Sequence, residues 1–123
     1  MARRHGPGQS GRTALVIPAV GAKLPAELFT GCTLALESDD GLALFDPLEP
    51  PRELRKPEHV FITVFWHYRS TPSVKAKHVW ASRRTVKALE NRHVTVTDPI
   101  TRDATLPAGV EAFETARHGE LVY

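Results

Sequence analysis

The stretch "CTLALESDDGLALF" at residues 32–45 constrains the fold more than any other part of the chain. Leu34 and Leu36 alternate with Thr33, Ala35 and Glu37, and an apolar run resumes at Leu42. A period of two is the signature of a strand with two unlike faces. Between the halves, Ser38-Asp39-Asp40-Gly41 favours a type I turn with glycine in the left-handed conformation. The segment is predicted as a tight β-hairpin. Turn chemistry accounts for Asp39 and Asp40 without a catalytic or metal-binding role.

Around that hairpin the chain is read by its breakers. Residues 1–12 hold Arg3, Arg4 and Arg12, no acid and three glycines, and are predicted as a flexible basic arm. Residues 13–123 are predicted as one domain. "TALVIPAV" (13–20) reads as an edge strand, because Pro18 cannot donate to a ladder. "KLPAELFTG" (23–31) reads as a single helical turn closed by Gly31. "DPLEPPRELRKPE" (46–58) contains four prolines and alternating charge, and reads as a stiff, exposed connection without a core. The Pro50–Pro51 pair also suits a polyproline II docking peptide.

The next segment carries the functional expectation. Five of the nine aromatic residues lie in residues 60–80, "VFITVFWHYRSTPSVKAKHVW". Residues 59–69 and 74–82 are predicted as strands of a second hairpin. A five-residue loop, 69–73, would pair Tyr68 with Val74, Trp66 with Ala76, Val64 with His78 and Ile62 with Trp80. A one-residue slip would bury Lys75 and Lys77 without partners, at a cost of several kcal/mol. In the preferred register Phe61, Phe65, His67, Arg69, Lys75 and Lys77 share the outer face. Rings that stack bases and cations that meet phosphates suit single-stranded nucleic acid. Arg83 and Arg84 would extend the patch. In the competing reading a helix over 108–117 covers this face and buries the two phenylalanines.

Downstream, Ser82 is expected to cap a short helix at 83–91, with one continuous helix over 72–91 as the alternative. "HVTVTD" (93–98) reads as a strand, and Ala104–Leu106 as an optional short one. "AGVEAFETARHG" (108–119) reads as a helix stopped by Gly119, and "ELVY" as an edge strand or tail. The fold class is β-rich α+β: a mainly antiparallel sheet or small open barrel of about six or seven strands, with two short helices.

Charge and motifs narrow the function. Net charge is only +2, but residues 59–93 hold seven Lys and Arg against Glu90 alone, and residues 37–58 hold seven acids. Basic blocks converging on one anion-binding face is one reading, and mutual neutralisation is the other. Cys32 is the only cysteine, so no internal disulfide forms and Cys-based zinc is excluded; it reads as a small buried residue. The six histidines show no metalloprotease spacing, and no GxSxG, Walker or GxGxxG motif is present. His78 reads as a hydrogen-bonded core histidine, and His67 as the better functional candidate. No run approaches the roughly 18 apolar residues of a membrane span, and no secretory signal is evident, so a cytoplasmic protein is expected. The expectation is a non-catalytic binding domain without metal or cofactor, with nucleic acid as its ligand. The alternatives are a protein–protein or homo-oligomeric assembly module, such as a viral or mobile-element subunit, and a small hydrolase or nuclease built on Cys32 or His67.

Overall fold

The computed structural model describes residues 13–18, 32–68, 70–115 and 119–123. Six strands form one sheet in chain order: β1 (Thr13–Pro18), β2 (Cys32–Ser38), β3 (Gly41–Phe45), β4 (His59–Phe61), β5 (His78–Ser82) and β6 (Asp98–Ile100). β7 (Phe113–Glu114) and β8 (Leu121–Val122) make a separate antiparallel pair. Among the described residues there is one α-helix, α1, at Val86–Glu90. The β-rich α+β class follows directly. The expected arm at 1–12 and helical turn at 23–31 lie outside the described residues.

The 32–45 hairpin forms as its alternation predicts, with Ser38 opposite Gly41. Ser38 Oγ accepts the Asp40 amide at 3.1 Å, and Gly41 sits at φ 96°. A side chain there would also collide with Glu58, whose Cβ lies 2.7 Å from the position of a Cβ. β1 adds antiparallel to β2 and carries Pro18 at its end, as an edge strand should.

Beyond β3 the sheet changes character. β3–β4, β4–β5 and β5–β6 are all parallel. The predicted second hairpin is therefore corrected. His59 aligns with His78 and Phe61 with Trp80, and residues 62–77 cross over between the two strands through 3-10 turns at Phe65–Tyr68 and Thr71–Ser73. The physical reason is burial on both faces: His59, Val60 and Phe61 are all buried. A strand covered on two sides reads as a continuous apolar run, which periodicity cannot assign to one face.

The crossovers fill one side. Val74, Leu89 and Val94 pack there against Ala35, Leu44, Val60, Val79 and Ala81 of the sheet. Residues 46–58 are corrected from exposed linker to core: Pro47, Pro50 and Pro57 are fully buried. Proline suits a buried irregular crossover because it brings an apolar ring and no N–H to satisfy. The remaining donors are met, Leu48 N by Thr33 Oγ1 at 2.9 Å and Glu49 N by Ser70 Oγ at 2.8 Å. Ser82 Oγ accepts the Arg84 amide at 3.3 Å, starting a 3-10 turn at Arg83–Thr85 that runs into α1. The strand-plus-helix reading of 74–91 thus prevails over one continuous helix.

The C-terminal segment covers the other side, around Ala43, Phe61, Ile100, Leu106 and Leu121. The helix predicted at 108–119 is replaced by a 3-10 turn at Pro107–Gly109 and by β7. Ala108 sits at φ 59°, and its amide donates to Asp40 Oδ2 at 2.6 Å. "ELVY" supplies β8, and Tyr123 Oη donates to the Ile62 carbonyl at 2.7 Å. The strand expected at 93–98 begins only at Asp98, and Ala104–Leu106 is not a strand. Pro99 is tolerated because β6 pairs with β5 alone in the sheet.

Candidate functional site

Parallel strands have two chemically distinct ends. The eight residues expected to form one face divide between them, apart from those that lie in the core or outside the described side chains.

Phe61 is withdrawn from any ligand face. It is 0% exposed, stacked on Phe45 at 4.9 Å and on Trp80 at 5.8 Å, with Tyr123 edge-on at 5.2 Å. These rings form a ladder because Phe45, Phe61 and Trp80 occupy one register row. The C-terminal segment, not a helix, performs the covering. Phe65 falls in the 3-10 turn at 65–68, and Arg69 lies outside the described residues.

At the carboxyl ends of β3 and β4 stand Asp46, Thr63 and His67. Asp46 ends β3 at φ 46°, a conformation that aspartate tolerates better than most residues. Its Oδ1 accepts the Thr63 amide at 2.8 Å, and its Oδ2 accepts the Thr63 hydroxyl at 2.5 Å. The same Oδ2 lies 3.0 Å from His67 Nδ1. A carboxylate in that position assigns the ring proton to Nδ1 and fixes the ring's orientation. The His67 side chain is about half exposed, at 47%. Burial, with the Asp46 charge adding to it, pushes the nearby Tyr123 phenol well above its ordinary value.

The same end carries Arg83 and Arg84. Ile62 N donates to Trp80 O at 2.9 Å, which brings the chain after β4 abreast of the end of β5. The turn bearing His67 packs beside α1, and the Arg92 guanidinium lies 5.6 Å over the Tyr68 ring. Arg83 and Arg84 are exposed, with Arg84 Nε 4.0 Å from the exposed Glu114 carboxylate.

Lys75 and Lys77 stand at the opposite end, before β5. Lys77 Nζ meets Glu58 Oε2 at 3.3 Å, and the Lys75 amide donates to Arg55 O. His78 also lies there. It is not the core histidine expected, but is 44% exposed with Nδ1 2.9 Å from Asp98 Oδ2. Thr97 Oγ1 donates to that carboxylate at 2.7 Å. His59 is the buried one, stacked on His78 at 5.1 Å between ring centroids. Trp80 Nε1 donates to His59 Nδ1 at 3.1 Å, and His59 Nε2 lies 3.1 Å from the Asp40 carbonyl. Burial lowers the proton affinity of His59, the Asp40 carbonyl opposes this, and His78 reinforces it.

Sequence reasoning missed Asp46, Thr63 and Asp98. Asp46 followed by proline read only as a loop start, and its partner His67 is 21 positions away. Among the described residues no group of three or more His, Cys, Asp and Glu side chains is placed to hold a metal ion. No helix among them is long and apolar enough to cross a membrane.

Comparison of the chain with protein-family models, with curated proteins and with solved structures finds no match.

Proposed function

We propose that the chain is a binding domain for a phosphate-bearing polymer, with single-stranded nucleic acid as the ligand, engaged at the carboxyl edge of β4 and β5. The observation that carries this reading is the parallel register. It brings exposed Arg83 and Arg84 to the edge where Asp46 orients a half-exposed imidazole. Guanidinium groups suit phosphate through their paired donors. The mode is contact with the phosphate backbone. Base stacking has no support from Phe61, which is committed to the core.

Fluorescence anisotropy with a labelled single-stranded oligonucleotide at rising salt tests it. Affinity is expected to fall steeply with salt, and Arg83→Glu with Arg84→Glu to weaken binding roughly tenfold or more. Lys75→Glu with Lys77→Glu, at the other end, is expected to change it less than about threefold. Equal losses from both pairs, or binding indifferent to salt, would sink the proposal.

A second reading rests on the Asp46–His67 pair itself. An imidazole with its Nδ1 proton held by a carboxylate is oriented for proton transfer, the acid–base half of a nuclease. Incubation with single-stranded RNA in the presence of a chelator tests it. Cleavage abolished by His67→Gln supports this reading, and intact RNA with wild-type protein rejects it.

A further inference from the structure

The amino end of the sheet holds an arrangement that the proposed binding edge does not use. His59 is bonded through both ring nitrogens, and the two bonds fix its protonation state. The Trp80 indole is a donor only, so His59 Nδ1 must accept. The Asp40 carbonyl is an acceptor only, so His59 Nε2 must carry the hydrogen and donate. The ring therefore fits its site in one form, neutral with the proton on Nε2. A second proton would go to Nδ1 and set an N–H against the indole N–H.

We propose that His59 is an acid-sensitive latch: protonation at Nδ1 breaks its bond to Trp80 and releases the indole from the amino end of the sheet. The surroundings favour release over accommodation. His78 from β5 stacks on the ring, and its own Nδ1 already engages Asp98 from β6. Glu58, the adjacent carboxylate, is occupied by Lys77. Asp40 faces His59 with its carbonyl, while its carboxylate accepts the Ala108 amide. No carboxylate is thus bonded to the new cation. The linkage sign follows from the lowered proton affinity of His59. The unfolded chain takes up the proton first, so this contribution to stability is fully present above about pH 6.5. It is lost progressively as pH falls from there through the folded-state value.

Trp80 and His59 occupy different strands, and Trp80 also closes the ring ladder over Phe61. Opening the latch therefore loosens the ladder from its β5 side, while the Asp40–Ala108 tie to the C-terminal segment is left to hold.

Nitrogen-edge NMR of the histidine rings, followed from pH 8 to pH 4 in the full chain, tests this. The expected result is His59 as the Nε2–H tautomer, titrating below the ordinary histidine value, with the Trp80 indole resonance moving at the same midpoint. Trp80→Phe should raise that midpoint by about one pH unit, because the competing donor is gone. His78→Gln, which leaves the indole in place, should also raise it by removing the unfavourable charge interaction of the His78 ring with His59. An Nδ1–H tautomer, an indole resonance that ignores the His59 titration, or a midpoint unmoved by both variants would overturn the proposal.

Discussion

Single residues at strand ends carry much of this molecule's organisation, and Asp46 shows how. Its left-handed backbone stops β3, and its two oxygens then hold Thr63, in the crossover from β4 to β5, before reaching His67. Asp46→Ala would strand the Thr63 amide, so a loss of about 1–3 kcal/mol is expected in denaturant melts. Asp46→Asn keeps an acceptor for that amide and should cost less, while weakening the hold on His67. Thr63→Val removes one hydroxyl bond and should cost about 1 kcal/mol. Gly41 is the second such residue. At φ 96°, with Glu58 already in the way, Gly41→Ala is expected to destabilise by about 1–3 kcal/mol.

At the scale of elements, the sheet is two constructions joined at β3. The antiparallel half was legible in the sequence because its information is local. Alternation and turn residues sit within one hairpin, and β1 announces its edge position through Pro18. The parallel half was not legible. β4 is three residues long and buried on both faces, so the alternation that suggested a hairpin over 60–82 had no exposed face to report. The aromatic cluster was visible as composition, but its meaning as an in-register ladder depends on partners in separate strands. The candidate site suffered in the same way: His67 stood out by residue type, whereas Asp46 had no signal until the strands were aligned. The ladder yields a prediction at this scale. Phe61→Ala removes the ring that touches Phe45, Trp80 and Tyr123, and a cost of about 3–5 kcal/mol is expected in thermal or denaturant unfolding. Val16→Thr on β1, a residue 68% exposed, should stay within about 0.5 kcal/mol.

At the scale of the whole molecule, chemistry is partitioned by strand direction. The amino end collects Asp40, Glu58, Lys77, His78 and Asp98 around a buried imidazole, with its charges largely paired. The carboxyl end collects Arg83, Arg84 and an oriented His67. The basic residues grouped by composition therefore stand at two ends of the sheet, Lys75 and Lys77 at one and Arg83 and Arg84 at the other. Binding and acid response are expected to separate accordingly. Arg83→Glu with Arg84→Glu should leave the His59 titration midpoint unchanged, and Trp80→Phe should leave oligonucleotide affinity at neutral pH within about twofold. NMR titration and anisotropy on the same two variants check both statements.

The seam at β3 also orders events in time. The β2–β3 pairing closes over a tight turn, whereas each parallel pairing must first bring a long crossover into place. Loop closure that precedes its reward slows a folding step. The hairpin at 32–45 is thus the expected nucleus, and β6 is expected to dock last. Ala35→Gly should accordingly slow refolding, while Ile100→Val should act mainly by hastening unfolding, a difference that stopped-flow chevrons resolve.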